Sequence, residues 1–563
     1  MNKSISQIIF RSCFLLLLAS QGYLCSVVVK AATENDEASR SALEQSATEA
    51  KIDLLVNKVM TEFQVPGIAI GVIQGGKTIH LKGYGIANIE SKTDVNQDTL
   101  FKIASNSKAF TAAALAILVD REKLNWHDKV VSYLPNFKMY DAWVTKEFNI
   151  RDLLTHRSGL RIGAGDLMLW PEPTLFTRQD VIENLRFLKP VASFRDKYAY
   201  DNLLYIVAGE IVAKISGMSW EDFIHSQIFT PLKMENCLAG GIDPAIHTNI
   251  IAPHGVISGE LTMLAENQMS RQTSLMAAAG GIKCSASDLL KWVSTQLNHG
   301  KMEHGAELFS ELQASEMWKP VTTLPMSTSS RLLDKATHRS YALGWRISDY
   351  YGHLQVSHTG TLSGSMSKVI LLPDQQIGIV ILTNQQSSYA RNALARGLLS
   401  ELVGVNVKDV NNENKDRDWV AFYKEQQEEK LKNELTTVPQ EKKNRTEKHI
   451  ADNDAQNYLL GIYQDPWFGK VTLSRVEDAI IFAAEKSPRI KGKLYAHAKN
   501  QWWVKWDDRS HEADAWLFFE VLNPGPTSNP FDIEDQIILK MKAIADDADW
   551  SFDFEDLYFT KLE

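Results

Sequence analysis

The 563-residue chain predicts an α+β fold: an antiparallel sheet flanked by helices, an all-α lobe, and then a small all-β, barrel-like domain. Three observations predict it. An apolar hairpin near the start, Ile68 to Gly83, is answered by a block of strands that begins at Tyr341. The long stretch between them reads as helix and loop, and short aromatic-rich β patterns return from Tyr458. A module that opens and closes with strands around a helical insertion fits a sheet carrying helices plus a helical lobe.

Residues 1–31 read as a secretory signal. Lys3 and Arg11 precede Phe14-Leu15-Leu16-Leu17-Leu18-Ala19, and Val29-Lys30-Ala31 offers cleavage after Ala31. The run Ser12 to Val29 is about as long as the shortest spanning helix, but Ser20-Gln21-Gly22 interrupts it. Leu24 is too bulky to make Cys25 a lipid-anchor site. Cleavage removes three positive charges and takes the formal charge from -9 to -12. No second hydrophobic span follows, so the mature chain is expected to be periplasmic or secreted, with no stable membrane span. Cys237 and Cys284 remain. An oxidising compartment permits a disulfide, yet two isolated cysteines make no framework; two free, buried thiols are expected.

Thr33 to Thr48 is polar and reads as disordered. The mature modules are then 49–405, a charged linker 406–450 and a β domain 451–563. Glu49 to Phe63 has Ile52, Leu55, Val56, Val59 and Met60 on one side, a helix stopped by Pro66-Gly67. Ile68 to Ile73 and Thr78 to Gly83 make a hairpin across Gly75-Gly76. Ile150 to Leu160 reads as a helix closed by Gly159, Asn202 to Ser216 as one ended by Gly217, and Ser285 to Leu297 as a third. Leu354 to His358, Lys368 to Leu372 and Gly378 to Thr383 are strands, and Gln386 to Val403 is a closing helix. In 406–450 a solvated helix over Trp419 to Asn433 is followed by a flexible tether. Beyond it, Lys470 to Ser474, Ala479 to Ala483, Gln501 to Trp506 and Trp516 to Glu520 alternate as barrel strands do. Their tryptophans are expected to fill a barrel core rather than bind sugar.

The chemistry centres on Ala104-Ser105-Asn106-Ser107-Lys108, which leads into Ala109 to Leu115. This composition leaves no clear polar face, so a lysine one turn after a serine enters the protein. Lys108 can reach the Ser105 hydroxyl, burial disfavours its ammonium form, and the helix N-terminus favours a developing alkoxide. A second match, Ser365-x-x-Lys368, runs into a strand instead. Tyr198-Ala199-Tyr200-Asp201-Asn202 stands directly before a helix; in an extended loop, Tyr200 and Asn202 point into one cleft. Tyr200 beside Lys108 is placed as a phenolate or a proton shuttle. In His358-Thr359-Gly360-Thr361, Gly360 permits close backbone approach to a substrate, and the amides of Ser105 and Thr361 form an oxyanion hole. No His-Glu-x-x-His or zinc-finger spacing occurs, so no metal or cofactor is expected. No basic cluster suggests nucleic acid.

Ser105-x-x-Lys108, Tyr200-x-Asn202 and His358-Thr359-Gly360 resemble, in this order, the class C β-lactamase/penicillin-binding-protein superfamily of serine hydrolases. Leu153-Leu154-Thr155-His156-x-Ser158-Gly159-Leu160, Ala279-Gly280-Gly281-Ile282 and Gly344-Trp345 add to the resemblance, which covers roughly Ile52 to Val405. The C-terminal domain resembles the lipocalin-like domain of some of these hydrolases. The resemblance implies the β-lactamase/transpeptidase-like fold, an acyl-enzyme on Ser105, proton transfer by Lys108 and Tyr200, and a substrate amide oriented by Asn202. It implies that His358 and Thr359 bind the leaving-group side. Efficient β-lactamases and D-Ala-D-Ala peptidases of this superfamily usually carry lysine where His358 stands. A histidine is largely neutral near pH 7, so the resemblance implies a D-amino-acid peptidase or esterase, acting on a small-molecule or peptide substrate. The alternatives are a true β-lactamase or D-Ala-D-Ala carboxypeptidase, a non-catalytic binding protein, and a tether that holds cell-wall material through the C-terminal domain.

Overall fold

The computed structural model describes residues 45–243, 245–257, 259–264, 275–405, 407–409, 412–444, 458–498, 501–509, 514–522, 536–544, 550–552 and 554–562. The signal reading of 1–31 and most of the Thr33 to Thr48 reading lie outside them. Gln45 to Thr48 are not irregular: helix α1 spans 45–63, and Gln45 already reaches Glu49 one turn on, at 3.1 Å. Ile52, Val56, Val59 and Phe63 form its buried stripe at helical spacing.

The sheet strands are β1 (Gly67–Gln74), β2 (Lys77–Gly85), β3 (Thr322–Thr323), β4 (Arg339–Tyr341), β5 (Arg346–Tyr350), β6 (His353–Leu362), β7 (Ser365–Leu372) and β8 (Ile377–Thr383). Their order is β2-β1-β8-β7-β6-β5-β4-β3, antiparallel throughout. The first hairpin therefore joins the late strands, with Ile68 opposite Thr383 and Gln74 opposite Ile377. β8 is buried along its whole length and β1 along all but its last residue, which is why both read as unbroken apolar runs. The helices that matter below are α2 (Ser107–Asp120), α3 (Leu203–Ser216), α4 (Ala286–Leu297), α5 (Ser388–Val403) and α6 (Trp419–Asn444). Among the described residues no single helix is long and apolar enough to cross a membrane.

Three expectations change. The helix expected over Ile150 to Leu160 is one turn, Ile150–Leu153, begun by a capping box between Asn149 and Asp152. His156 has φ 53°, which no α-helix accommodates. The cysteines are buried as expected but form a disulfide, Cys237–Cys284. They sit directly opposite each other on the short strands Cys237–Leu238 and Lys283–Cys284, and a separation of 47 residues left no local sign of it. The proposed tether starts later than expected, because α6 runs to Asn444. Its first turn is not solvated: Trp419, Val420 and Tyr423 are buried, and Trp419 Nε1 donates to Ser400 Oγ of α5 at 2.9 Å.

The C-terminal strands β9 (Gly461–Asp465), β10 (Gly469–Val476), β11 (Ala479–Ala484), β12 (Lys491–Ala498), β13 (Gln501–Trp506), β14 (Ala515–Leu522), β15 (Gln536–Ala543) and β16 (Tyr558–Lys561) close into a barrel in sequence order. Closure by β9 on β16 removes the exposed edges. Trp502, Val504 and Trp506 alternate into its core, while Trp503 turns out and stacks on Tyr495 at 4.8 Å between ring centres. The barrel is seated on the helical lobe. Arg161 pairs with Glu555 at 3.1 Å and Asp556 at 3.4 Å. Lys486 pairs with Asp180 at 2.7 Å, and Asn184 donates to the Trp467 carbonyl at 2.8 Å.

Candidate active site

Ser105 sits in the single 3-10 turn Ala104–Asn106, immediately before α2. The residue before it, Ala104, has φ 49°, a left-handed conformation that costs an alanine about 1–3 kcal/mol and places it among the strained residues common at reactive sites. The turn is pinned from β7. Ser367 Oγ donates to the Ile103 carbonyl at 2.6 Å, and Asn106 Nδ2 donates to Ser367 Oγ at 2.7 Å. Every residue of α2 from Ser107 to Leu118 is buried, so Lys108 enters the interior with no measurable exposure. Gly344, at φ 76°, lets the chain before β5 lie against the backbone of Lys108; a Cβ there would stand 2.7 Å from the Lys108 carbonyl oxygen.

The Lys108 amine has three neighbours. Nζ donates to Asn202 Oδ1 at 2.7 Å and to the Ala279 carbonyl at 2.8 Å, and lies 3.4 Å from Ser105 Oγ. An amide oxygen and a carbonyl only accept. A neutral amine therefore uses its two N–H bonds on these partners and turns its lone pair to Ser105. Burial pulls the Lys108 pKa down to about 7, against the opposing fields of Asp166 and Asp201 and with a smaller downward push from Arg346. The Tyr200 and Tyr205 rings, 4.7 and 5.1 Å from Nζ, favour the cation weakly; loss of hydration outweighs them.

Tyr200 and Asn202 enter the same cleft. Tyr200 is hydrogen-bonded to Ser105, and burial raises its phenol well above the ordinary value. Of the two states considered for it, this is the neutral phenol, not the phenolate. Beneath it lies His156, 4.1 Å between ring centres. Asn202 is the residue that leads into α3, and both ends of its amide are held inside the protein: Oδ1 by Lys108 and Nδ2 by Asp166 Oδ2, at 2.8 Å. Its expected contact with a substrate amide thus competes with two internal bonds.

His358 is buried, with Nδ1 2.7 Å from the Thr359 carbonyl and Nε2 2.9 Å from the Tyr341 hydroxyl. The carbonyl can only accept, so Nδ1 carries the proton and Nε2 accepts from Tyr341. Burial, Arg346 and Lys108 all hold the imidazole well below its ordinary pKa. It is neutral. Thr359 and Thr361 line the cavity, and Thr361 Oγ1 accepts from Arg391 at 2.9 Å. Gly360 is elsewhere. A Cβ there would overlap the Ile103 carbonyl oxygen and Ser367 Oγ, so the close approach it permits is to the strand leading into Ser105. Ser365 and Lys368, the second Ser-x-x-Lys match, lie on β7, where residues three apart face opposite ways.

Ser105, Tyr200, Asn202, His358, Thr359 and Thr361 border a cavity of about 310 Å³, walled further by Ile162, Trp170, Tyr198, Arg346 and Ser551. Sequence reasoning singled out none of the five. Arg346 directly follows the quoted Gly344-Trp345 and begins β5, beside His358's own strand. Its guanidinium donates to the Tyr198 hydroxyl at 3.1 Å and lies over the Tyr198, Tyr200 and Tyr341 rings at 5.7–6.0 Å. Among the described residues it has no carboxylate partner. Asp166 was also missed; it is buried, and burial lifts its pKa to about 8. Among the described residues no cluster of His, Cys, Asp and Glu could hold a metal ion.

Comparison with known proteins gives the same module. The chain is 27% identical over 395 residues to unguisins hydrolase ungD' of Aspergillus campestris, covering 68% of this chain and 70% of the relative. It is 25% identical over 354 residues to protein flp of Staphylococcus aureus, covering 61% and 64%, so it spans slightly less than two thirds of that relative. The octameric penicillin-binding protein homologue from Pyrococcus abyssi superposes with a TM-score of 0.56 at 20% identity, over 91% of this chain and 99% of that one. A class C β-lactamase superposes with a TM-score of 0.51 at 22% identity, over 63% and 97%. The first likeness extends across most of the chain and the second across somewhat less than two thirds of it. The β-lactamase family model itself matches residues 52–403, from α1 to the last residue of α5, and the chain belongs to the β-lactamase family.

Proposed function

We propose that this chain is an exported serine hydrolase that cleaves peptides, amides or esters through an acyl-enzyme on Ser105. One observation carries the reading: Lys108 is fully buried, has two acceptors fixing its N–H bonds, and meets Ser105 with its remaining position. A buried amine titrating near 7 is a general base at neutral pH.

The steps follow. Ser105 Oγ bonds to the acyl carbon while its proton passes to the Lys108 lone pair. The carbonyl electrons move to oxygen, where the Ser105 and Thr361 amides are the expected donors. Neutral Tyr200 gives its proton to the leaving nitrogen or oxygen as that bond breaks, and Lys108 returns a proton to Tyr200. Water, its proton taken up by the same pair, then bonds to the acyl carbon, and that proton returns to Ser105 Oγ as the ester bond breaks and the acid is released.

His358 brings no charge to the leaving-group side, but Arg346 does. A partly buried guanidinium with no carboxylate partner among the described residues favours a substrate that supplies one. This supports peptides with a free terminal carboxylate over simple esters; the D-configuration rests on the family resemblance. Because β-lactams also carry a carboxylate, Arg346 gives the β-lactamase and D-Ala-D-Ala carboxypeptidase reading a specific basis as the second choice. The name of the Aspergillus relative supports hydrolysis. Export is supported by the leader-like start and by a disulfide that suits an oxidising compartment.

The test is a panel of p-nitrophenyl esters, D-amino-acid anilides, D-Ala-D-Ala peptides and nitrocefin, each with a Ser105→Ala control. D-peptides are expected above nitrocefin, and all turnover is lost in the control. Nitrocefin as the best substrate moves the assignment to the second reading; turnover surviving Ser105→Ala removes both.

A further inference from the structure

We propose that Ser551, carried by the C-terminal barrel, is a positioning residue of the catalytic site: it fixes Asp166, and through Asp166 and Asn202 it orients the amine of Lys108. The inference rests on the Ser105/Lys108 reading above and adds to it a link from the second domain.

The chain of contacts is continuous. Ser551 Oγ donates to Asp166 Oδ2 at 3.0 Å. The same oxygen accepts from Asn202 Nδ2 at 2.8 Å, and Asn202 Oδ1 accepts from Lys108 Nζ at 2.7 Å. The amide cannot be turned over without facing its NH2 to the lysine and its oxygen to the carboxylate, so Asp166 sets its direction. Ser551 lies in the turn Trp550–Phe552, which packs on the turn Asp166–Met168. It also stands on the cavity wall. Asp166 Oδ1 is buried with no hydrogen-bond partner among the described residues. Its other oxygen therefore carries the donors found for this carboxyl, and one of the two comes from the barrel.

The electrostatics give the sign. Lys108 faces Asp166 and Asp201, which favour its ammonium form, and Arg346, which opposes it. His156 and His358 are both held neutral, and Tyr200 is a neutral phenol. Asp166 faces Asp201 and Lys108, and its bonds from Asn202 and Ser551 both favour its carboxylate. Without the Ser551 hydroxyl the Asp166 pKa rises further, so less of its carboxylate is present where Lys108 titrates and the ammonium is supported less. The lysine then titrates at lower pH and is held less firmly.

The experiment follows the rate of Ser105 labelling by a fluorophosphonate probe against pH in the full-length protein. Ser551→Ala is expected to slow labelling at pH 8 about fivefold or more and to move the acid limb to lower pH by at least half a unit. Ser551→Thr, which keeps the hydroxyl, restores both. Asp166→Asn gives a shift in the same direction, and adding Ser551→Ala to it changes nothing further. If Ser551→Ala leaves the rate and the limb unchanged, or if the two substitutions shift the limb additively, the proposal is overturned. Absence of any adduct on Ser105 in the unsubstituted protein instead removes the acyl-enzyme reading.

Discussion

Asn202 accepts a hydrogen bond from Lys108 at 2.7 Å and gives one to Asp166 at 2.8 Å, so its amide is a strut between a buried amine and a buried carboxyl. Replacing it by a carboxylate reverses the balance at the lysine. Asn202→Asp puts a negative charge against Nζ, favours the ammonium form, and raises the pKa. The acid limb of kcat/KM is expected to move up by one pH unit or more, with activity at pH 7 down about 10- to 100-fold and partly recovered at pH 9. A pH-rate profile checks this; an unmoved limb refutes the strut.

The wild-type profile has its own sign. The Lys108 pKa is lowered to about 7 by burial, so the proposed base is expected to be competent above that pH and lost below it, at tenfold per unit. Stability follows the same group. Between about 7 and the ordinary 10.5 the unfolded chain binds the extra proton, so this lysine's contribution to stability rises with pH across that window. Lys108→Met is expected to abolish turnover and yet raise the melting temperature near pH 7, the stability gain being about 1–3 kcal/mol. Calorimetry at pH 7 settles it; a destabilised variant means the amine contributes more through its bonds than it costs by burial.

How much of this was legible depends on how local the signal was. Ser105 and Lys108 are three residues apart at a helix start, and the apolar run after them already said that the lysine is buried. Tyr200 and Asn202 announced themselves before a helix, and the His358 strand by its glycine. Asp166 could not be seen, because its meaning comes from Asn202, 36 residues on, and from Ser551, 385 residues on. Arg346 stood next to a recognised phrase, but a strand arginine is ordinarily solvated. The short helix at Ile150 was over-read because Gly159 was taken as its cap, whereas the chain turns at His156. Helix periodicity also understated α6, whose first turn is anchored by Trp419.

Arg346 is expected to separate substrates by charge. Arg346→Gln removes the cation and keeps a donor for Tyr198. For a peptide with a free terminal carboxylate, kcat/KM should fall about 100-fold, since a charge-assisted bond of this kind contributes ~1.5–3 kcal/mol. A neutral p-nitrophenyl ester should lose at least tenfold less. Equal losses on both show that Arg346 only braces the tyrosine rings.

Cys237 and Cys284 close a loop with a sequence separation of 47 residues. Chain entropy assigns such a crosslink about 4 kcal/mol. A Cys237→Ser/Cys284→Ser variant should melt several degrees lower than the wild type under oxidising conditions. After reduction in denaturant and refolding with reductant present, the two should melt alike. Identical melting in both conditions, or two free thiols titrated in the denatured wild-type protein, contradicts the pairing.

The proposed turnover depends on Ser105 as the nucleophile and on Lys108 as its base. The most direct measurement is the intact mass of the folded protein after fluorophosphonate treatment at pH 8, with the adduct located by peptide mapping. One adduct per chain on Ser105, absent in Ser105→Ala and slowed at least 100-fold in Lys108→Ala, is the expected result. No adduct, an adduct on another residue, or labelling at the native rate in Lys108→Ala contradicts it.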